Sequence, residues 1–267
     1  MMLIRLRRFG THTREMFFPM TMSGRSVETK VSAKLDSLGL RKENTLYAES
    51  SCPDEINRVD ESLSLMFQKR FGSVFQFGGL GGLPLVGPTG FDLFASHVPE
   101  GGNVFLMYAS HVGWDDESGS CGHVRRRGQR ELSLCSGAAS EALAALKVDP
   151  NDITSGMLDH QIGIVKQLLS PSLNDIIDED PDRENANLSF AMYHVIRLYL
   201  EQILNTNWMG SNSKLVILGG IMINRSEIGA DVFQPLSFEL RDRDGKKTDM
   251  FEETFGVEGW RLLPKKS

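Results

Sequence analysis

Cys52, His111 and Cys135 are the residues of this chain whose types could assemble a reactive centre. Two thiolates and an imidazole form a ligand set for zinc, which takes four tetrahedral positions from sulfur and nitrogen. Three protein ligands leave one position open, which separates a catalytic zinc from a structural one. Cys121, followed by Gly122 and His123, is a competing metal pair. A lone cysteine is also often no more than a small buried hydrophobe. His97, His160 and His194 have the contexts of ordinary surface or core histidines. The question is whether the surrounding elements bring the three residues together.

Residues 45–48 read as a short strand that ends at Ser50-Ser51-Cys52-Pro53. Ser51 or Cys52 would cap a helix, with Pro53 in its first turn and Asp54 and Glu55 close behind. Ile56, Val59, Leu63, Met66 and Phe67 then repeat at helical spacing, which predicts one helix with a buried stripe. Residues 104–110 form an almost continuous apolar run, the pattern of a central strand buried on both faces. His111 follows at its carboxyl end, where open α/β sheets place their ligands. Cys135 opens another helix, with Ala142, Leu143 and Leu146 on its face. A helix N-terminus favours a thiolate. That context favours Cys52 and Cys135 over Cys121, which lies in a Gly- and Ser-rich loop.

Further helices are expected over 31–40, 154–169 and 186–205, and strands over 214–223 and 232–240. This alternation predicts an α/β single domain with a mostly parallel central sheet flanked by helices and a site along one edge. The glycine-dense stretch 78–90 lacks the Lys-Ser/Thr ending of a phosphate loop and the GxGxxG spacing of a dinucleotide turn. Close backbone packing near the site is the better reading of it.

The chain has 267 residues, 40% hydrophobic and 24% charged, enough for a proper core. Its net charge of −6 argues against a nucleic-acid partner. No apolar run approaches the roughly 20 residues of a membrane span. Three cysteines are too few for a secreted disulfide framework and suit a reducing compartment. Residues 1–27 carry Arg5, Arg7, Arg8, Arg14 and Arg25 against Glu15 alone. That composition predicts an organelle transit peptide (mitochondrion or plastid) or a basic extension on a cytoplasmic protein, with the folded domain covering 28–267.

Four stretches carry a resemblance: Ser51-Cys52-Pro53-Asp54-Glu55-Ile56-Asn57-Arg58, Ser110-His111-Val112-Gly113, Arg127-Gly128-Gln129 and Leu134-Cys135-Ser136-Gly137-Ala138-Ala139. From about residue 30 onward the chain resembles the limiting-CO2-inducible protein B family. That family has been likened to β-class carbonic anhydrases, and some members are called θ-class. The resemblance implies a β-carbonic-anhydrase-like fold and a homodimer with sites near its interface. It implies Zn2+-dependent reversible hydration of CO2 to bicarbonate by a metal-bound hydroxide. A β-class turn reads Cys-x-Asp-x-Arg. Cys52-Pro53-Asp54 keeps the first spacing, but the arginine is Arg58, an i,i+4 partner for Asp54 on a helix. By this analogy Asp54 orients the nucleophile, Arg58 holds Asp54 ionised, and the 78–90 loop helps to wall a CO2 pocket. The family's arginine pattern also includes the Arg125–Arg127 run. The short His-x-x-Cys of the β-class is missing, so Cys135 and Cys121 both stand as candidates for the third ligand. Two rival readings are a non-catalytic zinc-stabilised or bicarbonate-binding protein of inorganic-carbon metabolism and a zinc hydrolase using Asp54 as general base.

Overall fold

Three apolar strands lie side by side at the centre of the computed structural model, which describes residues 14–226 and 232–256. In chain order the strands are β1 (Met22–Ser23), β2 (Thr45–Ser50), β3 (Phe75–Gln76), β4 (Asn103–Asp115), β5 (Ser120–Cys121), β6 (His123–Val124), β7 (Ser133–Leu134), β8 (Leu215–Arg225), β9 (Val232–Arg241) and β10 (Lys247–Asp249). The helices are α1 (Arg14–Phe17), α2 (Gly24–Ser37), α3 (Leu63–Phe71), α4 (Gly87–Ser96), α5 (Gly137–Val148), α6 (His160–Leu169), α7 (Leu173–Ile176), α8 (Pro181–Ile203) and α9 (Phe251–Phe255). The main sheet runs β1-β9-β8-β4-β2-β3, with β5 on β4 and β10 on β9. Strands β8, β4, β2 and β3 are parallel, and β9 closes one side antiparallel. The expected α/β single domain with a mostly parallel sheet is the observed fold.

Both faces of the sheet are covered, which is why its central strands read as unbroken apolar runs. All 13 residues of β4 are buried. Its side chains alternate: Val104, Leu106 and Tyr108 pack with residues of α4 to α8, while Phe105, Met107 and Ala109 pack with α2, α3 and α9. Helix α8 starts cleanly because Asp180 caps it and Pro181 occupies its first position.

Three expectations change. The single helix after Cys52 is two pieces. A short 3-10 turn, Glu55–Arg58, is capped by Asp54, and α3 begins afresh with Ser62 as its cap. Glu61 between them sits at φ 69, which no continuous helix admits. The domain also begins earlier than residue 28. Phe18 and Val27 are fully buried, and Met22 pairs with Phe233 of β9. Residues 1–13 of the expected extension lie outside the described residues. Finally, His111 is not past the end of its strand, because β4 continues to Asp115.

Candidate functional site

Strands β2, β4 and β8 are neighbours running in one direction, so their carboxyl ends share an edge. β2 delivers Cys52 just beyond Ser50, β4 delivers His111, and β8 delivers Asn224 opposite Gly113. The two-stranded β6–β7 ribbon leads the chain back to the same edge and places Cys135 immediately before α5. Close approach of Cys135 depends on Gly113. A Cβ there would stand 2.7 Å from Cys135 Cβ and 2.6 Å from the His123 carbonyl oxygen.

Cys52, His111 and Cys135 therefore converge, and all three are almost completely buried. Cys135 Sγ lies 3.6 Å from His111 Nδ1, and the Cys52 thiol is within hydrogen-bonding reach of the same ring. Burial pushes the Cys52 thiol up. The hydrogen bond and charge of His111, with the backbone N–H groups of Asp54 and Gly81, outweigh that and bring it below its ordinary value. His111 shows the converse. Burial lowers it, but the sulfurs of Cys135 and Cys52 raise it well above the usual imidazole range. Asn224, fully buried, places Oδ1 3.0 Å from His111 Nδ1 and accepts the Cys135 thiol at 3.4 Å. His111 Nε2 is buried with no hydrogen-bond partner, as is Asn57 Oδ1. Asn57 donates through Nδ2 to the Cys52 carbonyl at 3.2 Å.

The Asp–Arg pair is present, but its arginine is Arg126. Arg126 donates through both terminal nitrogens to Asp54, at 2.7 and 2.8 Å, in the two-pronged geometry that makes such pairs strong. Its Nε donates to Ser133 on β7, which fixes the fork. Burial pushes the Asp54 carboxyl up, but Arg126 dominates and holds it at about 2. Arg58 instead donates to Gln76 at 2.8 Å on the exposed side. The expected Asp54–Arg58 pair fails because Asp54 is the cap of a 3-10 turn. Its position 54 is not helical, and at three residues per turn the i+4 side chain points elsewhere.

Cys121 stands apart from the three. It is packed in the apolar core beneath α8, its N–H donates to Asp182, and burial and the Asp182 charge raise its thiol far above the ordinary range. His123 lies on β6 and is only half-buried. The glycine-dense stretch packs backbone to backbone against the Cys52 segment, as expected. A Cβ on Gly78 would stand 2.0 Å from the Ser51 carbonyl oxygen. It does not wall the crevice beside the site. That crevice, narrow and close to closed, is lined by His111, Val112 and Cys135 with Ser136 and Ser140 from the start of α5 and Asn185, Leu188, Ser189 and Met192 of α8.

The donor set suits zinc in kind: two thiols and an imidazole nitrogen that is buried and lacks a partner. Among the described residues, no group of three or more His, Cys, Asp or Glu side chains is placed so that it could hold a metal ion. The two asparagines were missed by sequence reasoning. Asn224 had a signal, since it ends the strongest apolar strand at the edge where ligands collect.

Residues 21–242 match the model of the limiting CO2-inducible proteins B/C β carbonic anhydrases. The chain belongs to this family. It is 32% identical to PtLCIB4, a homologue of the limiting CO2-inducible protein LCIB, over 88% of this chain and 97% of that one, with a TM-score of 0.80. A histidine-to-alanine mutant of PtLCIB4 aligns at 31% identity over 93% of this chain and 97% of that one, also at 0.80. LCIB itself, 20% identical over 91% and 98% of the two chains at a TM-score of 0.67, shares the fold. No curated protein sequence matches. Family membership makes a carbonic anhydrase-type function the frame for this site.

Proposed function

We propose that this protein catalyses the reversible hydration of CO2 to bicarbonate, with Zn2+ held by Cys52, His111 and Cys135. The observation that carries this reading is the convergence of those three donors beside an arginine-locked carboxylate, Asp54. Bound zinc supplies a water of lowered pKa and a positive charge opposite the developing anion. The chain's own residues do the rest. Arg126 fixes both oxygens of Asp54, and the ionised carboxylate, acceptor-only, orients the attacking water by accepting a hydrogen bond from it. The Asp54 and Gly81 N–H groups stabilise the Cys52 sulfur as a thiolate. Val112, Leu188 and Met192 offer an apolar wall for CO2, and Ser136, Ser140 and Asn185 offer polar groups for bicarbonate.

The near-complete burial of the three donors favours a second reading, a non-catalytic zinc- or bicarbonate-binding protein. A CO2 hydration assay on the zinc-loaded protein separates the two. Turnover that disappears in Asp54→Asn, with zinc content kept, supports the enzyme. Stoichiometric zinc with no turnover in the wild type supports the second reading. A homodimer belongs to the proposal as the family's implied assembly, and sedimentation equilibrium tests it. Among the described residues no helix is long and apolar enough to cross a membrane.

A further inference from the structure

Glu49 is a fully buried carboxyl on β2, one residue before the strand ends, and the mechanism above does not use it. A carboxyl taken out of water must find its hydrogen bonds among its neighbours. Among the described residues Glu49 finds three hydroxyls. Tyr47 Oη donates to Oε2 at 3.1 Å, Ser64 Oγ donates to the same oxygen, and Ser51 Oγ donates to Oε1. All three donors are themselves buried. Ser51 stands immediately before Cys52, and Ser64 lies in the first turn of α3. The loop between them carries Cys52, Asp54 and Asn57, and its middle, residues 58–61, is exposed. Both ends of this loop are therefore pinned on one side chain, with one oxygen for each end. The near end is held a second time, because Ser50 Oγ donates to the Gly82 carbonyl at 2.8 Å.

We propose that Glu49 is a positioning residue: its carboxyl closes the 51–64 loop and, through Ser51, fixes the direction in which Cys52 and Asp54 leave β2. From that turn Cys52 faces His111 and Asp54 faces Arg126. A reactive group keeps its aim only when the residues behind it are locked by packing and hydrogen bonds. Tyr47 supplies the lock on the anchor itself, since its ring is stacked on Phe71 of α3 while its hydroxyl holds Oε2. The consequence for turnover rests on the CO2 hydration proposed above. The consequence for the loop does not.

Hydrogen exchange of the 51–58 backbone in the metal-free chain, read by mass spectrometry, tests the anchor without any reaction. Ser51→Ala should speed that exchange about 10-fold, the scale of one lost buried hydrogen bond, and leave α8 unchanged. Glu49→Met, which removes both oxygens, should do at least as much. Glu49→Gln, which keeps an acceptor for Ser51, should recover most of the loss. Ser64→Ala should lower the melting temperature yet leave 51–58 near wild type, because α3 keeps its own cap, Ser62. In the zinc-loaded protein Ser51→Ala should also lower kcat per bound zinc, by about 10- to 100-fold for a misplaced catalytic group. Wild-type exchange in Ser51→Ala overturns the anchor, and this variant carries the test even where Glu49→Met does not fold. Faster exchange with unchanged kcat makes Glu49 a stabiliser of the fold and overturns its positioning role. A wild type without turnover overturns the proposed hydration, and exchange of 51–58 then still decides whether Glu49 closes the loop.

Discussion

Arg126 grips both oxygens of Asp54 while Arg58 faces Gln76, so the two arginines should behave oppositely when removed. Without Arg126 the Asp54 carboxyl drifts back toward its ordinary value, which still leaves it ionised at neutral pH. The loss is therefore one of orientation rather than charge. Arg126→Ala should lower CO2 hydration about 100-fold, the scale of a misplaced catalytic group, with zinc content unchanged. Arg58→Ala should keep wild-type turnover. Equal activity in both variants would remove the pair from the mechanism. Cys135→Ser should lose zinc, whereas Cys121→Ala should retain it, read by elemental analysis. Alanine is the fair probe at Cys121, because serine would bury a hydroxyl among apolar side chains at a further cost. The sequence singled out Cys52, His111 and Cys135 by residue type and by the strand and helix boundaries it predicted, although β4 runs on past His111 to Asp115. It did not carry the Arg126 pairing. Asp54 and Arg126 are 72 positions apart, and nothing local says which of Arg125, Arg126 and Arg127 turns inward.

At the scale of elements, the site is made by strands that end at one edge and by a ribbon that returns to it. Gly113 is the point of contact between the two. Gly113→Ala must move either the His123 backbone or Cys135, since its Cβ would overlap both. Zinc affinity should fall at least 10-fold in this variant, the lower end of what a displaced ligand environment costs, roughly 10- to 100-fold. Gly137→Ala, in the first turn of α5 with nothing within 4 Å, is the control and should bind as the wild type does. A Gly113→Ala protein with full affinity would show that the ribbon's approach does not set the centre. Strands β4 and β8 were legible because burial on both faces leaves a continuous apolar run. The segment after Cys52 was not. Ile56, Val59, Leu63, Met66 and Phe67 keep helical spacing, yet Val59 is 42% exposed and Ile56 belongs to a separate small cluster with Val124 and Cys135. Periodicity cannot distinguish one helix from two that happen to stay in phase. The signal that could have separated them was Ser62, a cap residue in the middle of the run.

For the whole molecule, the arginine count of residues 1–27 pointed to a detachable segment, but the later half of that stretch carries part of the core. Phe18 is fully buried and stacks on Phe190 of α8 at 5.7 Å. The Met20 N–H donates to Gln234, and β1 covers the start of β9. Composition averages over the stretch and hides the apolar residues placed within it. Two chains separate the readings: one starting at Arg14 and one starting at Glu28. Relative to the first, the second loses a buried phenylalanine, a loss worth about 3–5 kcal/mol by itself. That is a large share of the roughly 5–15 kcal/mol that holds a domain folded. It also bares Val232 and Phe233 at the start of β9, an unpaired strand edge that invites aggregation. Thermal melts should place the shorter chain roughly 10 °C or more below the longer one, at about 2–4 °C per kcal/mol for a domain of this size, or show it insoluble. Equal melting temperatures would mean that residues 14–27 are dispensable and that the domain begins at 28 after all. Any address signal is then sought upstream, in Arg5, Arg7 and Arg8. The chain starting at Arg14 is the one to test for altered location, because it removes those arginines without touching Phe18 or β1.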